Sequence, residues 1–171
     1  MLSFQTLDVF ADTAFLGNPL AVVLGADGLT PAQMLVIARE FNLSETIFVE
    51  APQNPAHTAR VRIFLPTAEI PFAGHPTIGC AIHLATAQHT GDFTAQLVLE
   101  QEAGLVPVTV TRQGNQTRAE FVAPVLPHGA PFVTANDLIG RALGLTQTGF
   151  GTHRPGVYHG GPGFLLFPWP A

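Results

Sequence analysis

Lysine is absent from this 171-residue chain, and all seven basic residues are arginines. That excludes a lysine Schiff base and a phosphate-loop lysine within the chain. Cysteine is nearly absent as well. Cys80 stands alone, so no internal disulfide forms and a reducing cytosol is the default compartment. Serine occurs only at Ser3 and Ser44, neither in the setting of a nucleophile elbow, which argues against a serine hydrolase. Charged residues make up 11%, against about a quarter in an ordinary domain. The net charge of -5, with no basic stripe, argues against nucleic-acid binding. The N-terminus has no basic n-region and no apolar run reaches spanning length, so neither a signal peptide nor a membrane role is expected. The histidines lack the spacing of a ligand set, and no metal is expected.

What the chain does have is apolar substance, 47% of its residues, enough for a proper core, and its length suits one domain, or one and a fragment of another. One stretch stands out, Arg62 to Ala87. Val61 to Leu65 alternate as a strand and run into a loop that carries Glu69, Pro71 and Gly74. Pro76 then suits a first helical position, and Thr77 to Ala87 are almost all small or apolar. A helix that is apolar all round is a buried one, with Gly79, Ala81 and Ala85 letting neighbours approach closely. His75 would stand at its mouth, among free N–H groups and the positive end of the helix dipole.

Elsewhere the pattern predicts strands over 2–10, 20–24, 47–50, 95–99, 106–111 and 118–122, with Gly114-Asn115 as a hairpin signal. Thr30-Pro31 opens a helix that Asn42 closes, with Met34, Ile37, Ala38 and Phe41 on its buried face. At 123–131 the composition shifts to proline and glycine. This divides the chain into a first lobe, 1–122, and a crossover with the start of an incomplete second lobe, 123–171. That second part holds a short helix, Asn136 to Leu143, a glycine-rich run that includes Gly149 and Gly151, and a last strand, Phe164 to Phe167. Strands wrapped around one buried helix would satisfy the first lobe.

Three polar places interrupt the apolar pattern: Gly17-Asn18-Pro19, Ser44-Glu45-Thr46 and Gly74-His75-Pro76. Glu45 precedes Ile47-Phe48-Val49 and is either a partly desolvated proton shuttle or a solvated turn carboxylate. His75 is an acid, a base or a substrate donor, or merely a capping histidine. His83 reads as a satisfied core group and Cys80 as an inert buried thiol. Arg60 and Arg62 share one strand face, as a solvated pair or an anion contact.

The runs DVFADTAFLGNPLAVVL (Asp8 to Leu24), IAREFNLSETIFV (Ile37 to Val49) and RVRIFLPTAEIPFAGHPTIGCAIHL (Arg60 to Leu84) resemble the PhzF family of phenazine-biosynthesis-like isomerases. The resemblance implies an α+β, diaminopimelate-epimerase-like fold, a β-sheet rolled around a central buried helix, here as one full lobe plus part of a second. It implies a homodimer that works without cofactor and isomerises a small carboxylate-bearing substrate. Glu45 of the NLSET motif would move the proton. His75 of the GHPT motif, Gly74 beside it and Asn18 would hold the substrate. Two departures matter. Related racemases use two thiols, but Ala73 stands where the first would fall, so a two-thiol mechanism is not expected. The family's second lobe also supplies a DPATGS-like helix start that binds the substrate carboxylate, and the chain has no such motif. The alternative is therefore a truncated module, inactive alone or paired with a second fragment.

Overall fold

Alternating apolar residues over the first 125 positions become one mixed sheet curled around a helix, in a computed structural model that describes residues 2–132, 136–144 and 155–167. Two units are distinguished, Met1–Val125 and Leu126–Ala171. The first contains β1 (Ser3–Val9), β2 (Asn18–Leu24), α1 (Pro31–Phe41), β3 (Glu45–Glu50), β4 (Ala59–Phe64), β5 (Glu69–Ile70), α2 (Gly74–Gln88), β6 (Phe93–Gln101), β7 (Gly104–Gln113) and β8 (Gln116–Phe121). The strands run in the order β1-β2-β3-β4-β6-β7-β8, with the short β5 beside β4. Neighbours are antiparallel except β2 with β3 and β4 with β6.

The period of two along each strand sorts residues between two cores. Leu20, Val22, Ile47, Val49, Val61, Ile63, Leu97, Leu99, Val106 and Val108 face inward onto α2. Val23, Phe48 and Phe64 face outward and pack with Met34 and Ala38 of α1. The inner helix fits its trough because of Gly79. A Cβ there would lie 2.6 Å from Leu20 and 2.8 Å from Val9 side-chain carbons.

Helix α1 is bounded as its sequence predicts. Thr30 and Gln33 form a reciprocal capping box, and Asn42 ends the helix in the left-handed region at φ 51°. Helix α2 departs from expectation in two ways. It begins at Gly74, two residues before Pro76, because any of the first three helical positions tolerates proline: none of their N–H groups has an intrahelical partner. Nor is it buried all round. Residues 75–81 and Ala85 are buried, but Ile82, His83 and Leu84 are half-exposed, since the sheet does not close between β1 and β8.

In the second unit β9 (His128–Ala130), β10 (Gly156–His159) and β11 (Gly163–Leu166) form an antiparallel sheet, with α3 (Asn136–Ala142) between β9 and β10 in the chain. The sequence pattern missed β9 and β10, which consist of histidine, glycine, tyrosine and a few small apolar residues. Gly149, Gly151 and His153 of the glycine-rich run lie outside the described residues.

Candidate functional site

The starts of β2, β3 and α2 meet at one end of the curled sheet, and each carries one of the polar interruptions. Because β2 and β3 run parallel, Asn18 and Glu45 open neighbouring strands at the same edge, with Leu20 opposite Glu45 in the register. Gly17 makes the approach to Asn18 possible. A Cβ there would run into the Val9 carbonyl, and the Gly17 N–H instead donates to Asp8 Oδ1 at 3.1 Å. The Ser44 hydroxyl donates to Asn18 Oδ1 at 3.3 Å, which ties the two strand starts together.

Glu45 is a strand residue rather than part of a turn, as the parallel register with β2 extends β3 back to it. By alternation it shares the inward face with Ile47 and Val49, toward α2. There His75 meets it, with Nδ1 3.3 Å from Glu45 Oε2 and both side chains largely buried. That is slightly longer than an aligned N–H···O bond. Burial lowers the His75 pKa, outweighing the opposing pull of Glu45 and of the Pro19 carbonyl, so the ring favours its neutral form. A neutral imidazole carries its proton on one ring nitrogen and offers the other as an acceptor, and Nδ1 is the nitrogen that faces Glu45. Nε2 is buried and has no hydrogen-bond partner, and the Pro19 carbonyl completes none there.

The start of α2 is open in the same way. Its N-cap, Ala73, has no side chain to cap the helix, and Pro76 has no N–H to satisfy. The N–H groups of Gly74 and His75 have no partner among the described residues. Gly74 is not required by the backbone or the packing, since a Cβ there would lie in ordinary contact 3.6 Å from the Phe121 ring. Phe121 itself stacks edge-on against Phe72, centroids 5.6 Å apart. Sequence reasoning overlooked this aromatic pair because its members belong to distant elements.

The remaining candidates are settled by their surroundings. Cys80 is fully buried and its thiol is pushed up to about 12, so it is inert. His83 is half-buried with no side-chain hydrogen bond among the described residues, so it is not the satisfied core group its helix suggested. Arg60 and Arg62 differ: the Arg60 side chain is exposed, and that of Arg62 is largely buried in an ion pair. Arg60 lies 3.5 Å from Glu50, and Arg62 makes a two-pronged pair with Glu69 at 2.6 and 2.7 Å. His57 joins Glu100 at 2.7 Å. No cluster of three or more His, Cys, Asp or Glu fit to hold a metal occurs among the described residues. No described helix is long and apolar enough to cross a membrane. Two concavities lie away from the Glu45–His75 pair. One of about 780 Å³ lies between the free edges of β1 and β8, and one of about 450 Å³ lies where β4 parts from β6.

A mixed sheet curled around a helix is the diaminopimelate-epimerase-like fold. The chain belongs to the PhzC–PhzF family, described as phenazine biosynthesis-like protein, which it matches over residues 7–170. It is 45% identical over 97% of its length to an uncharacterized isomerase of Mesorhizobium japonicum. It is 37% identical over its whole length to the trans-2,3-dihydro-3-hydroxyanthranilate isomerase of Pseudomonas fluorescens. Among solved structures, a predicted epimerase of Pseudomonas aeruginosa superposes on 96% of the chain with a TM-score of 0.82 at 31% identity. A hydroxyproline epimerase of Agrobacterium vitis shares the fold alone, with a TM-score of 0.63 at 16% identity over 97% of the chain. The chain spans 55% and 58% of the two relatives, and 58% and 51% of the two solved chains.

Proposed function

We propose that this chain carries the proton-transfer half of a cofactor-independent isomerase acting on a small carboxylate. Glu45 takes a proton from one carbon of the substrate and returns it to another, so the net change is a shifted double bond with no oxidation or reduction. The His75 Nε2 lone pair accepts a hydrogen bond from a substrate hydroxyl or amine. The free Gly74 and His75 N–H groups, at the positive end of α2, hold the carboxylate. The Asn18 amide, its oxygen already engaged by Ser44, turns its NH₂ group to the substrate. The observation that carries this reading is the 3.3 Å pairing of two largely buried groups, Glu45 and His75, beside an uncapped helix start.

The test follows solvent deuterium into trans-2,3-dihydro-3-hydroxyanthranilate, the substrate in the Pseudomonas fluorescens relative's name, by proton NMR in heavy water. Glu45→Gln should lower the rate at least about 100-fold, the usual worth of a positioned acid–base group. Equal rates for both proteins would remove Glu45 from the chemistry.

The relatives' greater length favours a second reading, that the chain is a catalytically incomplete module whose remaining groups come from another polypeptide. In that case the chain alone moves no deuterium, and adding the polypeptide that matches the rest of a relative restores exchange. A cytosolic homodimer, or a pairing with such a fragment, belongs to the same proposal and is read by sedimentation of the purified chain.

A further inference from the structure

With no side chain capping α2, something else must fix its first turn. The Thr77 hydroxyl, fully buried, lies 2.7 Å from the Ala73 carbonyl oxygen, to which the Thr77 N–H also points at 3.4 Å. On its other side Thr77 Oγ1 meets the side-chain amide of Gln101, the last residue of β6, at 2.8 Å. The direction of this chain of bonds is forced. A carbonyl oxygen only accepts, so the hydroxyl proton goes to Ala73, and the hydroxyl oxygen must receive from the Gln101 NH₂ group. One backbone bond runs parallel to it, from the Ala103 N–H to the Pro71 carbonyl at 3.1 Å. The turn between β6 and β7 therefore grips the start of α2 at two points.

The consequence for the site follows from peptide planarity. The Ala73 carbonyl and the Gly74 N–H belong to one rigid plane and point opposite ways. Holding the carbonyl aims the Gly74 N–H outward, and His75 follows as the next residue. Gln101 gives up something to do this, since its Oε1 is buried with no partner. A residue needed only to fill space would be leucine or methionine, with no stranded acceptor.

We propose that Gln101, acting through Thr77, is a positioning residue that sets the aim of Gly74 and His75 toward the substrate. This rests on the isomerase reading for its purpose, though not for its geometry.

The full-length chain is compared with Gln101→Met, Thr77→Val and Thr77→Ser by nitrogen-15 NMR of the His75 ring. In the wild type the Nδ1 and Nε2 signals should be widely separated, as in a ring locked in one tautomer against Glu45. In Gln101→Met and Thr77→Val the two signals should converge toward the average of a loose imidazole, while Thr77→Ser, which keeps the hydroxyl, should retain the separation. Proton exchange into substrate should fall about 10- to 100-fold in Gln101→Met, as expected for a misplaced site. Unchanged ring signals in Gln101→Met overturn the proposal, even if the variant melts at a lower temperature, because a purely structural glutamine would behave that way. So does convergence in Thr77→Ser. If the signals respond as expected but no protein, wild type included, exchanges substrate protons even after the polypeptide that matches the rest of a relative is added, the positioning stands and the isomerase reading falls.

Discussion

Among the described residues two carboxylates face a histidine, and their surroundings could hardly differ more. Glu100 has both oxygens occupied. Its Oε2 accepts from the Gln53 N–H at 2.8 Å, and its Oε1 accepts from the Asn54 N–H at 2.9 Å and faces His57 Nδ1 at 2.7 Å. The backbone donors of Asn54 and Gln53, and then His57, hold its carboxyl below the usual range. Glu45 has a single, longer contact. A carboxylate saturated by donors is a structural clamp; one with open lone pairs is free to trade a proton. A depressed native pKa stabilises the fold above the ordinary carboxylate range, and that contribution disappears as pH falls through the native value. Glu100→Gln should therefore lower the urea midpoint at pH 7, and its gap from wild type should begin to narrow below about pH 4 and close once the pH passes the lower native value. A gap that stays constant with pH would assign the loss to packing instead. Glu45, His75 and Cys80 were legible in the sequence because each breaks or continues a local apolar pattern. The Glu100–His57 clamp was not, since its partners lie 43 positions apart and meet only through the parallel pairing of β4 with β6.

Among the elements, α1 was readable to the residue because both of its ends are written in side chains, Thr30 with Gln33 at the start and Asn42 at the stop. Helix α2 was readable in kind but not in extent. Its start lacks a capping side chain, and Pro76 marks only a three-residue window. The two-residue β5 is too short for any alternation to register. The start of β3 at Glu45 is fixed by pairing with β2, information that no window around Glu45 contains. The position that most constrains α2 is Gly79, where two opposing terms can be weighed. Alanine would gain about 1 kcal/mol of helix propensity. It would also push a methyl group into Leu20 and Val9, both buried, at a cost of about 1–3 kcal/mol. The overpacking term prevails. Gly79→Ala should lose about 1 kcal/mol in denaturant titration, where an exposed helical glycine would gain about as much.

At the scale of the molecule, both hydrophobic clusters are built from residues of the first unit. In the second unit Ile139 alone is buried among the described apolar residues, while Tyr158, Phe164 and Leu166 are exposed. A segment of that length is shorter than the roughly 60-residue domains that are already marginal. Residues 1–125 expressed alone should unfold cooperatively and keep the His75 ring signals of the full chain, whereas 126–171 alone should show no cooperative transition by circular dichroism. The two strands that precede and follow α3 were not visible in the sequence pattern.

The parallel pairing of β2 with β3 has one more use. It sends the chain from Asn18 to the far end of the sheet and back through α1 before Glu45, so the turn at Gly28 lies opposite the candidate site. A side chain at Gly28 meets nothing within 4 Å. With Cys80 sealed and unreactive, a cysteine introduced there becomes the one thiol open to a maleimide, a handle for dyes or surface attachment that leaves the site facing free solution.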